Sequence, residues 1–128
     1  MEIRTHDPRD GVYATDGDWV HAVEVRGAQR TVYVSGTMGL DPSGVPGVDL
    51  AAQLDLVWSN IRAILAAADL TVDHIVRVTS YLRDPAYAEA NARARVAALG
   101  GRAVATTAIV AQTLTEDWLV EIEVIAAG

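Results

Sequence analysis

The chain contains no cysteine, no lysine and no phenylalanine among its 128 residues. The lack of cysteine excludes disulfides, thiolate zinc sites and a cysteine nucleophile. A protein that binds a phosphate backbone needs clustered positive side chains. Here the positive side chains are scattered arginines, and the formal net charge is −7. We therefore expect no nucleic-acid partner.

Long apolar runs are also missing. No stretch approaches the roughly 20 consecutive apolar residues of a membrane-spanning helix, and the polar start "MEIRTHDPRD" lacks the apolar segment of a signal peptide. We expect a cytoplasmic protein without a membrane partner. His6, His21 and His74 are far apart in the sequence, so we expect no metal site.

The composition is that of an ordinary globular domain. Apolar residues make up 51% of the chain and charged residues 21%, which is enough to form a hydrophobic core and argues against disorder. The length fits one domain, and neither an internal repeat nor a linker is visible. We predict a single domain over residues 1–128.

The first half of the chain predicts strands followed by a helix. A short strand is expected at Glu2–Thr5. The runs "WVHAVEVRG" and "RTVYVSG" are rich in β-branched residues and are separated by a loop that begins at Gly27, which predicts a hairpin. A loop rich in Pro and Gly follows, and Asp49 can cap the next element. From Leu50, apolar residues recur at helical spacing over about five turns, at Leu54, Val57, Ile61, Ile64, Leu65 and Ala68.

The second half predicts a strand, a helix and two further strands. "IVRVTSYLRD" is the third strand, and a helix starts near Asp84-Pro85 and ends at Gly100-Gly101. "AVATTAIVAQTL" and "WLVEIEVIAA" complete the order β-β-α-β-α-β-β. This order predicts an α+β fold in which two helices pack on one face of a mixed sheet.

The last strand raises a question about the other face of that sheet. Glu121 and Glu123 interrupt an apolar run, and they point to the same side because side chains alternate along a strand. Arg77 and Tyr81 belong to the same face. This face is either solvated or packed against another subunit, and the apolar residues among the polar ones favour a subunit interface. The residues expected on the helix side are Val76, Val78, Val120, Ile122 and Val124.

Four stretches together carry a resemblance to a known family. They are "VYVSGTMGLDPSGVPG" at 32–47, the helix and strand at 49–84 with its Ala-x-Gln start, "YAEANARARVAAL" at 87–99 and "VEIEVIAA" at 120–127. In their order and spacing they resemble the Rid (reactive intermediate deaminase, YjgF-like) family. The resemblance implies a chorismate-mutase-like fold and a homotrimer with clefts between subunits. It also implies hydrolysis of enamines and imines derived from amino acids, with release of ammonia and without metal or organic cofactor.

The resemblance assigns roles to four residues. Glu121 matches the cleft glutamate that positions or activates the attacking water, and Gly36 matches the glycine whose backbone meets the substrate. Asn91 matches an asparagine of the second helix. Trp19 stands where the family has an aromatic residue, usually tyrosine, that covers the cleft.

One position departs from the family pattern. Deaminating members carry an arginine in the fourth strand that holds the substrate carboxylate, and the matching residue here is Thr106. A hydroxyl cannot replace a charged bidentate donor. Thr106 and Thr107 could offer hydroxyls to a neutral polar substrate, although threonine is also simply a good strand residue.

Two functional hypotheses follow for the whole chain. The first is a cofactor-free enzyme that hydrolyses or tautomerises an enamine, imine or related small reactive molecule lacking the usual carboxylate contact. The second is a trimer that binds a small molecule or regulates without catalysis. Glu121 can be a general base or a carboxylate satisfied at a subunit interface. Glu123 is expected to be structural, with Arg77 or an arginine of another strand as its partner.

Overall fold

The computed structural model describes all 128 residues, which form six strands and two α-helices. Two short 3-10 turns, at Val72–His74 and Pro85–Tyr87, precede the fourth strand and the second helix. No helix combines the length and the apolar character that crossing a membrane requires. The elements are β1 Glu2–His6, β2 Ala22–Arg26, β3 Thr31–Met38, α1 Leu50–Ala67, β4 Ile75–Leu82, α2 Ala88–Ala98, β5 Ala105–Val110 and β6 Val120–Ala127.

The main sheet has four strands in the order β3-β6-β4-β5. β4 and β5 are parallel and are connected through α2, as a parallel pair requires, whereas the other pairs are antiparallel. The predicted α+β fold, with two helices packed on a mixed sheet, is confirmed. α1 begins after Asp49, whose Oδ1 accepts a hydrogen bond of 2.9 Å from the backbone N–H of Ala52.

The predicted hairpin between the second and third strands is wrong. β2 pairs with β1 in a separate two-stranded sheet, while β3 pairs with β6. Gly27 turns the chain with a φ of 69° after β2, and polar contacts hold β1 in place, since His6 Nε2 lies 2.7 Å from Glu24 Oε1. The sequence does not distinguish the two pairings, because the choice of strand partner depends on contacts between distant residues.

The core lies between the helices and one face of the main sheet. Val57, Ile61 and Leu65 of α1 are fully buried, as their helical spacing predicts. The expected helix-side residues of β4 and β6 are buried too, with the exception of Val76. A bulge in β4 between Ile75 and Arg77 shifts the alternation, so that Ile75 takes the core position instead.

Candidate functional site

Glu121 and Glu123 lie on the sheet face that points away from the helices. Their neighbour in β6, Ile122, is fully buried on the helix side. Glu123 accepts a hydrogen bond of 2.6 Å from the Tyr81 hydroxyl. The carboxylate of Glu121 is half-buried and has neither a hydrogen bond nor an ion pair within the chain. The two glutamates are therefore unequal, and Glu121 is the one whose oxygens remain available.

This arrangement also affects the pKa of Tyr81. Its hydrogen bond to Glu123 raises the pKa of the Tyr81 hydroxyl, and partial burial and the charges of Glu123 and Glu121 act in the same direction. The expected partnership between Glu123 and Arg77 is wrong. Arg77 Nη2 instead donates to Thr107 Oγ1 at 2.9 Å, because long side chains on neighbouring strands reach diagonal positions.

Gly36 lies directly against Glu121. β3 carries a bulge between Val34 and Thr37, and a Cβ built on Gly36 would lie 2.6 Å from Oε2 of Glu121 and 2.9 Å from its Cδ. No real Cβ approaches so closely, so a side chain at this position would displace the carboxylate. The structure thus brings together two of the predicted site residues.

Gly36 and Glu121 line different cavities. Glu121 and Tyr81 border a cavity of about 180 Å³, whose other lining residues belong to segment 111–114. Gly36 lies in a larger groove of about 630 Å³ between β3, the following loop and α1. The pair therefore separates two cavities that share no lining residue.

Trp19 and Thr106 lie together near the start of β5. The N–H of Val20 donates to the carbonyl of Val104 at 3.1 Å, which holds Trp19 beside this strand. The Trp19 ring packs edge-on against His21, with a centroid distance of 5.3 Å. Thr106 shares its register with the buried Val78, so its side chain is on the helix side, and its hydroxyl donates to the carbonyl of Val104 at 3.0 Å.

Asn91 lies on α2, again on the helix side of the sheet. It is 3% exposed, and its Oδ1 has no hydrogen-bond partner. One turn later, Arg95 donates to the carbonyl and to Oδ1 of Asp18, at 2.7 and 3.1 Å. Because Asp18 precedes Trp19, this contact connects α2 with the segment that carries the tryptophan.

The predicted site residues therefore form two groups within one chain. Gly36 and Glu121 belong to the face away from the helices, and Thr107 shares that face through its bond to Arg77. The second group lies around α2 and the start of β5. Asn91 and Thr106 are on the helix side of the sheet, and Trp19 is held beside the start of β5 by the bond from Val20 to Val104. A single chain does not bring these groups together.

Arg83, which the sequence analysis did not single out, anchors the segment that lines the cavity beside Glu121. Arg83 donates from Nε to Thr113 Oγ1 at 2.7 Å and from Nη2 to the Thr113 carbonyl at 3.0 Å. These bonds anchor segment 111–114 next to the cavity. The predicted fourth strand extended through this segment, but β5 ends at Val110, because Thr113 bonds to its own loop and to Arg83 instead of continuing the strand.

No group of three or more His, Asp or Glu side chains lies close enough together to bind a metal ion.

Comparison with known proteins places these features in a family. The sequence model of the family described as Endoribonuclease L-PSP matches residues 12–128. The Rid protein YyfB from Yersinia pestis is 29% identical, with a TM-score of 0.84 and full coverage of both chains. RidA from Psychrobacter sp. PAMC 21119 is 31% identical, with a TM-score of 0.73 and coverage of 90% of this chain and 92% of that one.

A curated relative carries the name of an enzyme. The 2-iminobutanoate/2-iminopropanoate deaminase of Mus musculus is 36% identical over 74 residues, which cover 56% of this chain and 52% of that protein. The chain spans about half the length of the first curated relatives that it matches.

Proposed function

Because this chain belongs to the Rid family, we propose that it acts on an enamine, an imine or a related reactive intermediate, by hydrolytic deamination or tautomerisation. The observation that carries the proposal is the close approach of Gly36 to Glu121, whose carboxylate has no partner within the chain. The name of the mouse relative as an imine deaminase supports the same class of reaction.

The geometry suits general-base catalysis at a C=N bond. In the proposed reaction, water adds to the carbon of the imine while the Glu121 carboxylate accepts a proton from it. Glu121 passes that proton to the imine nitrogen, which gives a carbinolamine. The hydroxyl proton of the carbinolamine then moves to the nitrogen as the C–N bond breaks, so that ammonia leaves and a carbonyl remains. The bulge leaves Ser35 and Gly36 without register partners on β6. The Ser35 carbonyl accepts a hydrogen bond of 3.0 Å from the Thr37 hydroxyl, so the backbone of Gly36 is the group proposed to orient the substrate.

Thr106 defines the proposed difference from ordinary 2-imino acid deaminases. In the deaminating members of the family that the sequence resembles, an arginine at this position holds the substrate carboxylate. The Thr106 hydroxyl is neutral and already donates to the carbonyl of Val104. A charged bidentate contact is therefore missing at this position. We propose that the preferred substrate lacks the usual carboxylate.

The separation of the site residues supports a cleft between subunits. Gly36 and Glu121 lie on one side of the sheet, and Asn91 and Thr106 on the other. In a homotrimer, the second group of one subunit can face the first group of its neighbour. Such a cleft would also cover the available carboxylate of Glu121.

The test compares two substrates and three variants. Ammonia release is measured from 2-aminoacrylate generated in situ and from the corresponding methyl ester, in parallel with a relative that carries the arginine. We expect the ester to be preferred, and Thr106→Arg to shift the preference toward the acid. We expect Glu121→Gln to lower kcat by about 100-fold or more, while Glu123→Gln, on the same face of β6, keeps it.

Three results would contradict the proposal or parts of it. Full turnover by Glu121→Gln would exclude Glu121 as the base. Turnover of 2-aminoacrylate equal to that of the arginine-bearing relative would show that Thr106 does not set the preference. A wild-type protein that binds the ester without turnover would indicate the non-catalytic alternative.

A further inference from the structure

Two side-chain amides on α1 reach the strands that carry Gly36 and Glu121. Gln53 and Asn60 are seven residues apart, about two helical turns, and so lie on the same face of α1. Gln53 is 2% exposed. Both side chains bond to backbone groups at strand ends, and neither bonds to a side chain.

Gln53 holds the start of β6. Its Nε2 donates to the carbonyls of Asp117, at 2.8 Å, and Gly47, at 3.0 Å. Its Oε1 accepts from the N–H of Leu119 at 2.9 Å. Leu119 lies two residues before Glu121, and it precedes the first residue of the strand. The N–H of Arg83 also donates to the carbonyl of Leu119 at 3.1 Å, so Gln53 and the end of β4 hold this segment together.

Asn60 holds the end of β3. Its Nδ2 donates to the carbonyl of Met38 at 3.2 Å and to that of Leu40 at 2.9 Å. Met38 is the register partner of Glu121 and lies two residues after Gly36. One helix thus anchors both strands, each within two residues of a member of the pair.

We propose that Gln53 and Asn60 are positioning residues that set the separation between Gly36 and Glu121; this rests on the proposed function of that pair. There is no free space between the two residues, because even a Cβ on Gly36 would lie 2.6 Å from the Glu121 carboxylate. A small shift of either strand end changes where Glu121 points. Misplacement of a catalytic group by about 1 Å can cost about 100-fold in rate.

The test uses near-isosteric replacements and a control from the same helix face. Gln53→Met and Asn60→Leu, made singly and together, remove the hydrogen bonds of the two side-chain amides. Val57 lies between them, is fully buried and is apolar, so Val57→Ala lowers stability without removing a hydrogen bond to either strand end. Kinetics with the ester substrate are measured at a temperature at which circular dichroism shows every variant folded.

We expect a split between kcat and KM. Each amide variant should lose about tenfold or more in kcat with KM within about twofold, because the bonds set geometry and do not touch the substrate. Val57→Ala should keep kcat despite a lower Tm. The double variant should lose less than the product of the single losses, because both amides maintain one distance. A fall in kcat that follows Tm equally in all variants would overturn the proposal.

A second readout does not depend on turnover. The carboxyl ¹³C chemical shift of Glu121 and the exchange rate of the Leu119 amide hydrogen are compared by NMR. The Glu121 shift should change in Gln53→Met and Asn60→Leu but not in Val57→Ala. Unchanged Glu121 shifts in both amide variants would overturn the positioning role even in an active enzyme. Absence of turnover in the wild type would overturn the proposed function and leave this comparison decisive.

Discussion

The hydrogen atoms on the α-carbon of Gly36 face a carboxylate, and a methyl group there must displace it. Gly36 has no positive φ, so its backbone accepts alanine without strain. The atoms that a Cβ would meet belong to the end of the Glu121 side chain, which can rotate away. Gly36→Ala should therefore move the carboxylate and leave the fold intact.

We predict that Gly36→Ala loses activity without losing stability. We expect kcat to fall by about 50-fold or more, since the base no longer points at the substrate. The free energy of unfolding, measured in urea, should change by less than about 1 kcal/mol. Thr31→Ala, at the exposed start of the same strand, is the matched control. Normal turnover by Gly36→Ala would show that the contact has no role in the reaction.

The sequence could identify the members of this pair but not their contact. The resemblance assigned Gly36 and Glu121 separately, from their positions in two of the stretches that carry it. Their contact depends on the pairing of β3 with β6 and on the bulge after Val34. Register and bulges arise from non-local packing, which one sequence does not reveal. The hydrogen bond between Tyr81 and Glu123 could not be predicted for the same reason.

At the scale of elements, local signals succeeded and non-local ones failed. The periodicity of α1 and the glycines after α2 predicted both helices, because those signals act within a few helical turns. The partner of β2 and the end of β5 were wrong, because each depends on contacts with distant residues. Arg83 decides where β5 stops through its bonds to Thr113, which is 30 residues away.

Arg95 connects α2 with the segment before β2, and we predict that it stabilises the fold. Its side chain is 5% exposed and donates twice to Asp18. Arg95→Met should cost about 2 kcal/mol of unfolding free energy, because charge-assisted bonds are lost and the Asp18 carbonyl loses its donor. Urea denaturation measures this cost.

The same helix supplies a control for this prediction. Arg93 pairs with Glu89 at 2.7 Å, but both side chains are exposed, at 69% and 85%. Exposed pairs of this type contribute little, so Arg93→Met should change the unfolding free energy by less than about 0.5 kcal/mol. Equal effects of the two substitutions would contradict a specific role for the contact between Arg95 and Asp18.

At the scale of the whole molecule, β3 and β5 are the two edge strands of the main sheet, and the β5 edge carries exposed aliphatic side chains. β5 is the last strand of the sheet, and beyond the single bridge between Val20 and Ala105 it has no partner on its outer side. Ile109 and Val110 are about half exposed, and Leu114 is 93% exposed. Open edges with apolar side chains are usually covered. In a homotrimer, a neighbouring subunit would cover them.

We predict that the chain forms a trimer and that this edge is part of its interface. Light scattering after gel filtration should give three times the chain mass of 13.6 kDa. Lysines block edge pairing, so the double substitution Ile109→Lys and Val110→Lys should yield monomers. Val48→Lys, at a fully exposed loop residue, should leave the trimer intact.

The oligomeric state also decides whether the two groups of site residues can meet. If the cleft is formed between subunits, the monomeric double-lysine variant should lose turnover although it keeps Glu121, Gly36 and its fold. Activity in that monomer, or a wild-type protein that is itself monomeric, would contradict the cleft. In that case Glu121 and Gly36 would have to act without Asn91 and Thr106, because the sheet separates the two groups within one chain.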